Sequence, residues 1–515
     1  MRTVTARPLG RAFVRVPMPD APEVLFDAIA DEPYSFFLDS ALPEPRLGRH
    51  AFMGSRPFLV FSARGRRWTI RGGGTTRRGT GDPFVALRGL LAVHRHSAPG
   101  SAPPLLAGAV GWVSYEAGRI VEPLRPRTGS PEFTRLRRPP EPRRPLLRLG
   151  GQPRLRAARG IPDLCFAFYE TVAACDLPRR ELSLATGGLM GPRGDLAARQ
   201  AARAEALLAR LGASQATSEF RRPSKRPERP FRLTSPLVST IPRGAYMEAV
   251  AKIRDSIARG DIYQADLTRQ LVARWTGDPW TLARRLRAVS PAPFAAYLNF
   301  GGIRVVSASP ERFLAVRGRR AETRPIKGTR PRGRSAREDR SLALELVRSE
   351  KDMAEHMMIV DVERNDLGRV CESGSVTVPE PAALEVFPQV FHLTSTVEGR
   401  LRRGLTAVDA LRAMVPGGSI AGAPKIRAQE ILAGLEPGPR GLYTGALGYI
   451  AFSGACDFSI VIRTVVLEGS RLSAGIGGGI VADSDPALEW EETEYKALGM
   501  RLALGAVGTA AGVSP

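Results

Sequence analysis

The chain is poor in cysteine and has no long apolar run. Its 515 residues include four cysteines, which form no C-x-x-C pair and no short disulfide-type spacing. This pattern excludes a disulfide-stapled scaffold and favours a reduced, cytoplasmic setting. The basic N-terminal segment lacks the apolar core of an export signal, and no stretch of about 18 uninterrupted apolar residues occurs. We therefore expect neither export nor a membrane span.

Two glycine-rich runs lack the features of nucleotide-binding loops. Residues 474–486, AGIGGGIVADSDP, show neither G-x-G-x-x-G with a following ribose-binding acid nor a Walker lysine. Residues 416–431, PGGSIAGAPKIRAQEI, end a turn at a predicted helix start, where free N–H groups can hold an anion. Glycine also permits close backbone approach to a ligand carboxylate. Either run by itself is equally typical of a tight turn.

Acidic residues are scarce relative to basic ones, which gives a formal net charge of +24. Two proline-rich stretches account for half of it: 121–160 has eleven Arg and three Glu (+8), and 215–232 has six Lys or Arg and two Glu (+4). Neither stretch has a periodic apolar face or interleaved aromatics for base stacking. We interpret both as solvated insertions or linkers. Binding of nucleic acid or an acidic partner is the less favoured alternative, which predicts steeply salt-dependent binding.

The rest of the chain divides into two regions. Residues 1–233 contain short apolar runs bounded by Gly and Pro, which predict a sheet-rich lobe. Residues 234–515 mix helical and strand patterns. Helices are expected at about 195–211, 244–261, 341–368 and 425–436, and strands at 163–176, 303–309, 445–452 and 458–469.

Two pairs of acids are spaced for one helix face each. Asp352 and Glu355 are three residues apart in one helical pattern, and Glu489 and Glu492 repeat this spacing near the C-terminus. Facing pairs of this kind would form an oxygen-rich pocket for a hard cation, most plausibly Mg²⁺ sharing a substrate carboxylate. The alternative is that both pairs are ordinary solvated helix surface.

A single lysine in the stretch RPIKGTRPRG, residues 324–333, poses the question of its role. Lys327 is either a surface charge or a nucleophile.

Ten segments between residues 260 and 497 resemble those of chorismate-utilising enzymes, in the order expected of that family. They are GDIYQADLT, PAPFAAYL, SASPERFL, RPIKGTRPRG, KDMAEHMMIVDVERNDLGRVC, FHLTSTVEG, PGGSIAGAPKIRAQEI, GALGYIAF, FSIVIRT and GGGIVADSDPALEWEETEYKA.

Two N-terminal segments extend the resemblance over most of the chain. FLDSALPEPRLGRHAFMG and GAVGWVSYE are similar to the N-terminal region of the large subunits of anthranilate synthase and aminodeoxychorismate synthase. The family resemblance implies an α+β fold with two orthogonally packed sheets flanked by helices, and a chorismate site in the cleft. It also implies a reaction, because PIKGT resembles aminodeoxychorismate synthase component I, whereas anthranilate synthases usually carry alanine at the lysine position.

The resemblance implies roles for the chemistry-bearing residues. Lys327 would add to C2 of chorismate, and Glu311 would be the general acid for the C4 hydroxyl, although a strand-end glutamate is often only solvated. His392 would lie near the ring; without the resemblance it is typical of a core or capping histidine. A lysine amine has an ordinary pKa of about 10.4, so we expect burial or a nearby cation to lower the pKa of Lys327.

The binding residues also follow from the resemblance. Glu355 and Glu492 would hold Mg²⁺ directly, with Asp352 and Glu489 in the outer shell. Arg463, Lys496 and the backbone at Gly477, Gly478 and Gly479 would bind the substrate's carboxylates. Ser40 would belong to a regulatory or tryptophan pocket.

Two positions depart from the family pattern. Ala421 stands where a Thr or Ser hydroxyl is usual near the substrate, which bears on affinity. Asp266 replaces a usual Asn, and its negative charge would oppose an acidic ligand unless it pairs with an arginine.

The resemblance therefore predicts the large subunit of an aminodeoxychorismate synthase, which converts chorismate and ammonia to 4-amino-4-deoxychorismate, towards p-aminobenzoate and folate. No stretch resembles the G-x-C-x-G turn of a glutamine amidotransferase, so ammonia is expected from a separate amidotransferase subunit. The alternatives are anthranilate synthase component I, an isochorismate or salicylate synthase, and a nucleic-acid-binding protein on an enzyme scaffold.

Overall fold

Two large antiparallel sheets with helices packed against them form the protein. The computed structural model describes residues 13–42, 47–96, 100–124, 160–185, 194–212, 229–387 and 390–506. The expected α+β fold is confirmed. Most of the two basic stretches lies outside the described residues.

Within the described residues, the first sheet has thirteen strands and the second has twelve. The first contains β1 Phe13–Pro17, β2 Phe36–Asp39, β3 His50–Gly54, β9 Ala173–Asp176, β10 Glu181–Ala185, β11 Arg232–Leu233, β12 Val238–Ser239, β13 Gln264–Thr276, β14 Phe294–Phe300, β15 Ile303–Ser309, β21 Gly422–Ala423, β24 Thr464–Glu468 and β25 Arg471–Ile480. The second contains β4 Leu59–Arg64, β5 Arg67–Gly72, β6 Thr75–Thr80, β7 Gly108–Val113, β8 Leu164–Tyr169, β16 Arg312–Arg317, β17 Arg320–Arg324, β18 Ile326–Pro331, β19 Thr377–Val386, β20 Val390–Arg400, β22 Ala446–Ala451 and β23 Cys456–Ile460.

The helices of the described residues lie along the sheets and between their strands. They are α1 Pro22–Asp27, α2 Pro83–Val93, α3 Gly118–Val121, α4 Gly194–Arg210, α5 Arg243–Ala258, α6 Pro279–Val289, α7 Ala336–Arg348, α8 Glu350–Gly368, α9 Ala407–Met414, α10 Lys425–Leu435 and α11 Pro486–Leu504. None of these helices is long and apolar enough to cross a membrane. The four cysteines are buried and free.

Both sequence regions contribute strands to each sheet. In the first sheet β2 pairs with β14, and in the second β7 pairs with β22. Aromatic contacts then join the sheets: Trp112 lies 5.6 Å from Phe300, and Phe52 lies 5.4 Å from Tyr449, centroid to centroid. Each such pair contributes about 0.5–1.5 kcal/mol beyond its buried area. The inter-sheet space is therefore packed at its centre, and it opens into a cleft at one side.

Two segments predicted as single strands are each two strands in different sheets. Residues 163–176 form β8 and β9, and residues 458–469 contain the end of β23 and all of β24. Both predictions were wrong because strands buried on both faces read as one continuous apolar run, in which a change of sheet leaves no periodicity signal.

The helix predicted at 341–368 is also two helices. Ser349 interrupts it with an extended backbone (φ −69°, ψ 104°), and its hydroxyl accepts a hydrogen bond from Asp352 N at 3.2 Å. Ser349 is thus the N-cap of α8. The break places Asp352 in the first turn of α8, where the helix dipole stabilises a carboxylate.

Candidate active site

A cavity of about 510 Å³ lies in the cleft between the two sheets. Strand β18 of the second sheet, strands β13 and β25 of the first, and helices α8 and α11 all contribute to its wall. It brings together most of the residues singled out from the sequence. These are Asp266, Glu311, Lys327, Asp352, Glu355, His392, Arg463, Gly477, Gly479, Glu489, Glu492 and Lys496.

Lys327 reaches the cavity from an irregular part of β18. The pairing of β18 with β20 shifts register between Ile326 and Thr329, so Lys327 and Gly328 form a bulge. Gly328 has φ 80°, and a Cβ there would lie 2.9 Å from Leu346 Cδ1. The bulge therefore requires glycine after the lysine.

The surroundings of Lys327 are acidic. Its Nζ lies 3.8 Å from Asp266 Oδ1, and only 16% of its side chain is exposed. Burial lowers the pKa of Lys327, but the negative charges of Asp266, Glu355, Glu311 and Glu492 outweigh it, so the pKa is raised above its ordinary value. The expectation of a lowered pKa was therefore wrong, because acids rather than cations surround the amine.

Glu311 follows β15 and is buried. Its backbone N–H donates to Ser309 Oγ at 3.3 Å, and its carbonyl accepts from Ile460 N at 3.1 Å, which fixes the turn. Burial raises the pKa of Glu311 to about 7, with Ser419 and Lys327 partly opposing the shift. Ser419 Oγ lies beside this carboxyl without a hydrogen bond of ordinary geometry, and its effect on the carboxyl is weak. A carboxylic acid that is half protonated near neutral pH suits general acid catalysis.

Replacing Glu311 by glutamine is expected to lower turnover of chorismate by about 100-fold or more, because the amide cannot donate a carboxylic proton. In the unaltered enzyme the protonated form of Glu311 prevails below a pH of about 7 and is lost above it. The rate at fixed concentrations of the reactive forms of the substrates should therefore decline as the pH rises through this value. A pH–rate profile of both enzymes checks this; an unchanged decline in the Gln variant would show that another group causes it.

The four carboxylates of the sequence pattern enter the cavity from α8 and α11. Asp352 pairs with Arg330 Nη2 at 2.9 Å, and Glu492 pairs with Lys496 Nζ at 2.6 Å. Glu489 Oε1 accepts from Ser484 Oγ at 2.6 Å, whereas its buried Oε2 has no hydrogen-bond partner.

Burial raises the pKa of Glu489 to about 7 and also raises the pKa of Glu355. Among the described residues, no group of three His, Cys, Asp or Glu is already arranged to hold a metal ion. The site is therefore an open set of oxygen donors, which would need a further ligand to close around a cation.

Positive groups line the same cavity. Arg463 lies between β23 and β24, at the point where the chain changes sheet, and has φ 51°. Within the described ranges, neither Arg463 nor Lys351 forms a salt bridge, although both line the cavity. Lys496 is engaged with Glu492 and donates to Gly477 O at 3.1 Å. Arg463 and Lys351 are thus available for an anionic ligand.

The glycine run lies within β25. Gly477 pairs with Thr268 and Gly479 with Asp266. A Cβ at Gly479 would lie 2.4 Å from Gln264 Nε2 and 3.1 Å from Lys327 Nζ, so a side chain there would have to displace the Gln264 amide. Gly478 does not line the cavity, and a Cβ on it would lie 3.1 Å from Glu489 Oε2.

His392 in β20 forms a hydrogen bond between its Nδ1 and Thr329 Oγ1 at 2.9 Å. Burial and the charge of Arg463 lower the pKa of His392 to about 4, so the ring is neutral at pH 7. Its contact with a bound ring stays a prediction. Thr329 itself was missed, although it belongs to the PIKGT motif.

Two further predicted residues are not part of the cavity lining. Ala421 is fully buried, and its carbonyl accepts from Asp266 N at 3.3 Å. The short 3₁₀ turn at Gly418–Ile420 brings Ser419 and Ile420 to the cavity wall instead. The prediction that Ala421 is near the substrate is thus not supported by its position.

Ser40 lines a separate cavity of about 280 Å³ and donates to His50 O at 3.2 Å. A tryptophan ligand there stays a prediction.

Tyr443 was also missed by the sequence reasoning, because a lone tyrosine in GLYTGALG carries no motif signal. Its ring lies against Gly475, where a Cβ would come within 2.0 Å of Tyr443 Cγ. Tyr443 therefore forms part of the cavity wall through a close aromatic–glycine contact.

Comparisons with known proteins identify the family of the chain. Residues 147–501 match the family described as chorismate binding enzyme. Aminodeoxychorismate synthase component 1 of Klebsiella aerogenes is 36% identical over 94% of this chain and 97% of its own length. Aminodeoxychorismate synthase of Streptomyces griseus is 48% identical over 58% of this chain, and the match spans 41% of that longer protein.

Anthranilate synthases are similarly close. Component 1 of Thermus thermophilus is 38% identical over 90% of this chain and 91% of its own length. The crystal structure of component I from Streptococcus pneumoniae superimposes with a TM-score of 0.68 at 30% identity, covering 89% of this chain and 93% of that one. By its sequence, its fold and its cavity, the chain belongs to the family of chorismate binding enzymes.

Proposed function

We propose that this chain is the large subunit of an aminodeoxychorismate synthase, which forms 4-amino-4-deoxychorismate from chorismate and ammonia. The observation that carries the proposal is the primary amine of Lys327 inside the cleft, in the same cavity as the buried acid Glu311. Two of the similar proteins carry that name. The product would lead towards p-aminobenzoate.

The geometry suits two successive allylic displacements. Lys327 Nζ, as a neutral amine, adds to C2 while the ring double bond shifts and the C4 hydroxyl leaves as water with the proton of Glu311. Ammonia then adds to C4, the double bond shifts back, and the C2–N bond breaks with its electron pair returning to Lys327. The C4 ammonium group returns one proton to Glu311. The balance is chorismate plus ammonia to product plus water.

The carboxylates would hold Mg²⁺, with Glu355 and Glu492 as ligands and Asp352 and Glu489 around them. Their oxygen donors and the unpartnered Glu489 Oε2 suit a hard cation, and a substrate carboxylate would close the open donor set. When bound, the ion would neutralise that carboxylate and orient the ring. Arg463 and Lys351 would bind the remaining negative charge of the substrate.

Anthranilate synthase component I is the second candidate, favoured by the 38% identity to the Thermus protein. The two reactions differ in the carbon that receives nitrogen. An anthranilate synthase gives fluorescent, aromatic 2-aminobenzoate, whereas 4-amino-4-deoxychorismate remains non-aromatic until a lyase removes pyruvate. Product identification therefore separates them.

The purified chain is expected to form the 4-amino product from chorismate, Mg²⁺ and ammonium salts, and to be inactive with glutamine until an amidotransferase subunit is added. The reason is that release of ammonia from glutamine needs a reactive cysteine, whereas the four cysteines of this chain are buried and none stands in a G-x-C-x-G turn. Liquid chromatography with mass spectrometry checks the product. Formation of 2-aminobenzoate as the main product would reject the proposal in favour of the second candidate.

A further inference from the structure

Asp266 and Lys327 meet across the cleft from different sheets. Asp266 lies on β13 and Lys327 on β18, and the two side chains form the only salt bridge of this lysine within the described ranges. A Cβ at Gly479 would lie 3.0 Å from Asp266 Oδ1 and 3.1 Å from Lys327 Nζ. The pair therefore lies directly against the backbone of Gly479, where a side chain would crowd both charged groups.

The Asp266 carboxylate has an unused acceptor. The residue is 8% exposed, and its Oδ2 is buried without a hydrogen-bond partner. Arg440 donates to the backbone carbonyl of Asp266 at 2.6 Å and does not bind the carboxylate. The acid pairs with Lys327, whereas an arginine was the only partner considered from the sequence. Unlike an arginine, a lysine can give up a proton.

The proposed reaction requires a neutral amine at Lys327, but the surroundings of the lysine favour its protonated form. Lys327 faces Asp266 from β13, Glu311 from the β15–β16 turn, Glu355 from α8 and Glu492 from α11, and these charges favour the ammonium form. Glu311 cannot remove the proton, because it must itself be protonated to release the C4 hydroxyl. Glu355 and Glu492 would be engaged with the cation. Asp266 is the remaining carboxylate beside the amine.

We propose that Asp266 is the catalytic base that takes the proton from Lys327 and so generates the nucleophile. This inference rests on the proposed function. The proton moves from Lys327 Nζ to the Asp266 carboxylate; the neutral amine then forms the bond to C2 as the C4–O bond breaks. After ammonia has displaced the lysine from C2, Asp266 returns the proton to Nζ. No proton is exchanged with solvent, and no other reactant is needed.

Internal transfer has a distinctive pH signature. The pair holds one proton in both of its forms, so the fraction of neutral amine does not depend on pH while the pair stays singly protonated. With asparagine at position 266 the amine can lose its proton only to solvent. The neutral fraction of the Lys327 amine then rises about tenfold for each pH unit, as long as the pH is below the pKa of this amine.

The test is the rate of adduct formation between Lys327 and chorismate without ammonia, followed by rapid quench and mass spectrometry from pH 6 to 9. For the unaltered enzyme we expect no tenfold rise per pH unit. Asp266→Asn should be slowed about 100-fold at pH 7, and the ratio of its rate to that of the unaltered enzyme, in which the shared titration of Glu311 cancels, should rise about tenfold per pH unit. Asp266→Glu should restore a rate without that rise, and Asp255→Asn, which alters an exposed acid on α5, should change nothing.

Each possible result of this experiment either supports or overturns the role of Asp266 as the base. A rise of tenfold per pH unit in the unaltered enzyme overturns it whatever the variants do, as does an Asn variant with the original rate and profile. An Asn variant slowed equally at every pH would mean that Asp266 only positions the lysine, which also overturns it. Failure of the proposed function is seen separately, because the unaltered enzyme would then give no 4-amino product with ammonium.

Discussion

Replacing Lys327 by alanine is expected to reduce C4 amination by about a thousandfold or more, because the variant lacks the amine that activates the ring. Chorismate should still bind, since Arg463, Lys351 and the cation-binding carboxylates remain. Free ammonia could then reach C2 directly, so traces of the 2-amino product are expected. Product analysis by mass spectrometry and chorismate titration by calorimetry measure these effects.

Two controls separate nucleophilic loss from loss of charge. Lys327→Arg keeps a cation beside Asp266 but removes the nucleophilic amine, so it should be as inactive as the alanine variant. Lys252→Ala removes an exposed lysine on α5 and should leave the rate unchanged. An alanine variant that aminates C4 at the original rate would show that Lys327 is only a charge in the wall of the cavity.

Replacing Glu355 or Glu492 by glutamine is expected to lower turnover by about a thousandfold, roughly 4 kcal/mol of transition-state stabilisation, because each change removes a charged donor from the proposed cation site. Both side chains point into the cavity from helices whose cores are unaltered, so the fold should remain. Chelation by EDTA should abolish activity in the unaltered enzyme, and added Mg²⁺ should restore it.

The matched controls lie on the same two helices. Glu350→Gln at the start of α8 and Glu491→Gln on α11 alter exposed acids and should keep full activity. Circular dichroism checks that every variant is folded. Full activity after exhaustive chelation would reject the cation, and an active Glu355→Gln enzyme would reject that residue as a ligand.

The acid pairs show how far spacing alone carries a site prediction. The spacing of Asp352 and Glu355, and of Glu489 and Glu492, correctly indicated that both members of each pair lie towards one side, because one helical turn brings side chains three residues apart together. It could not show that α8 begins afresh at Ser349, or that Arg330 and Lys496 pair with two of the acids. Those contacts come from segments that are distant in sequence or depend on side-chain direction.

Motif order in the sequence determined the family, the α+β fold and most of the charged residues that line the cleft, because those residues lie in short segments with characteristic neighbours. The tertiary structure alone decided the electrostatics. Asp266 and Lys327 are 61 positions apart in the chain (327 − 266) and meet only because β13 and β18 face each other from two sheets. Burial then sets the pKa of Glu311 and the surrounding acids raise that of Lys327. Such shifts depend on distance and solvent exclusion, which a sequence pattern does not contain.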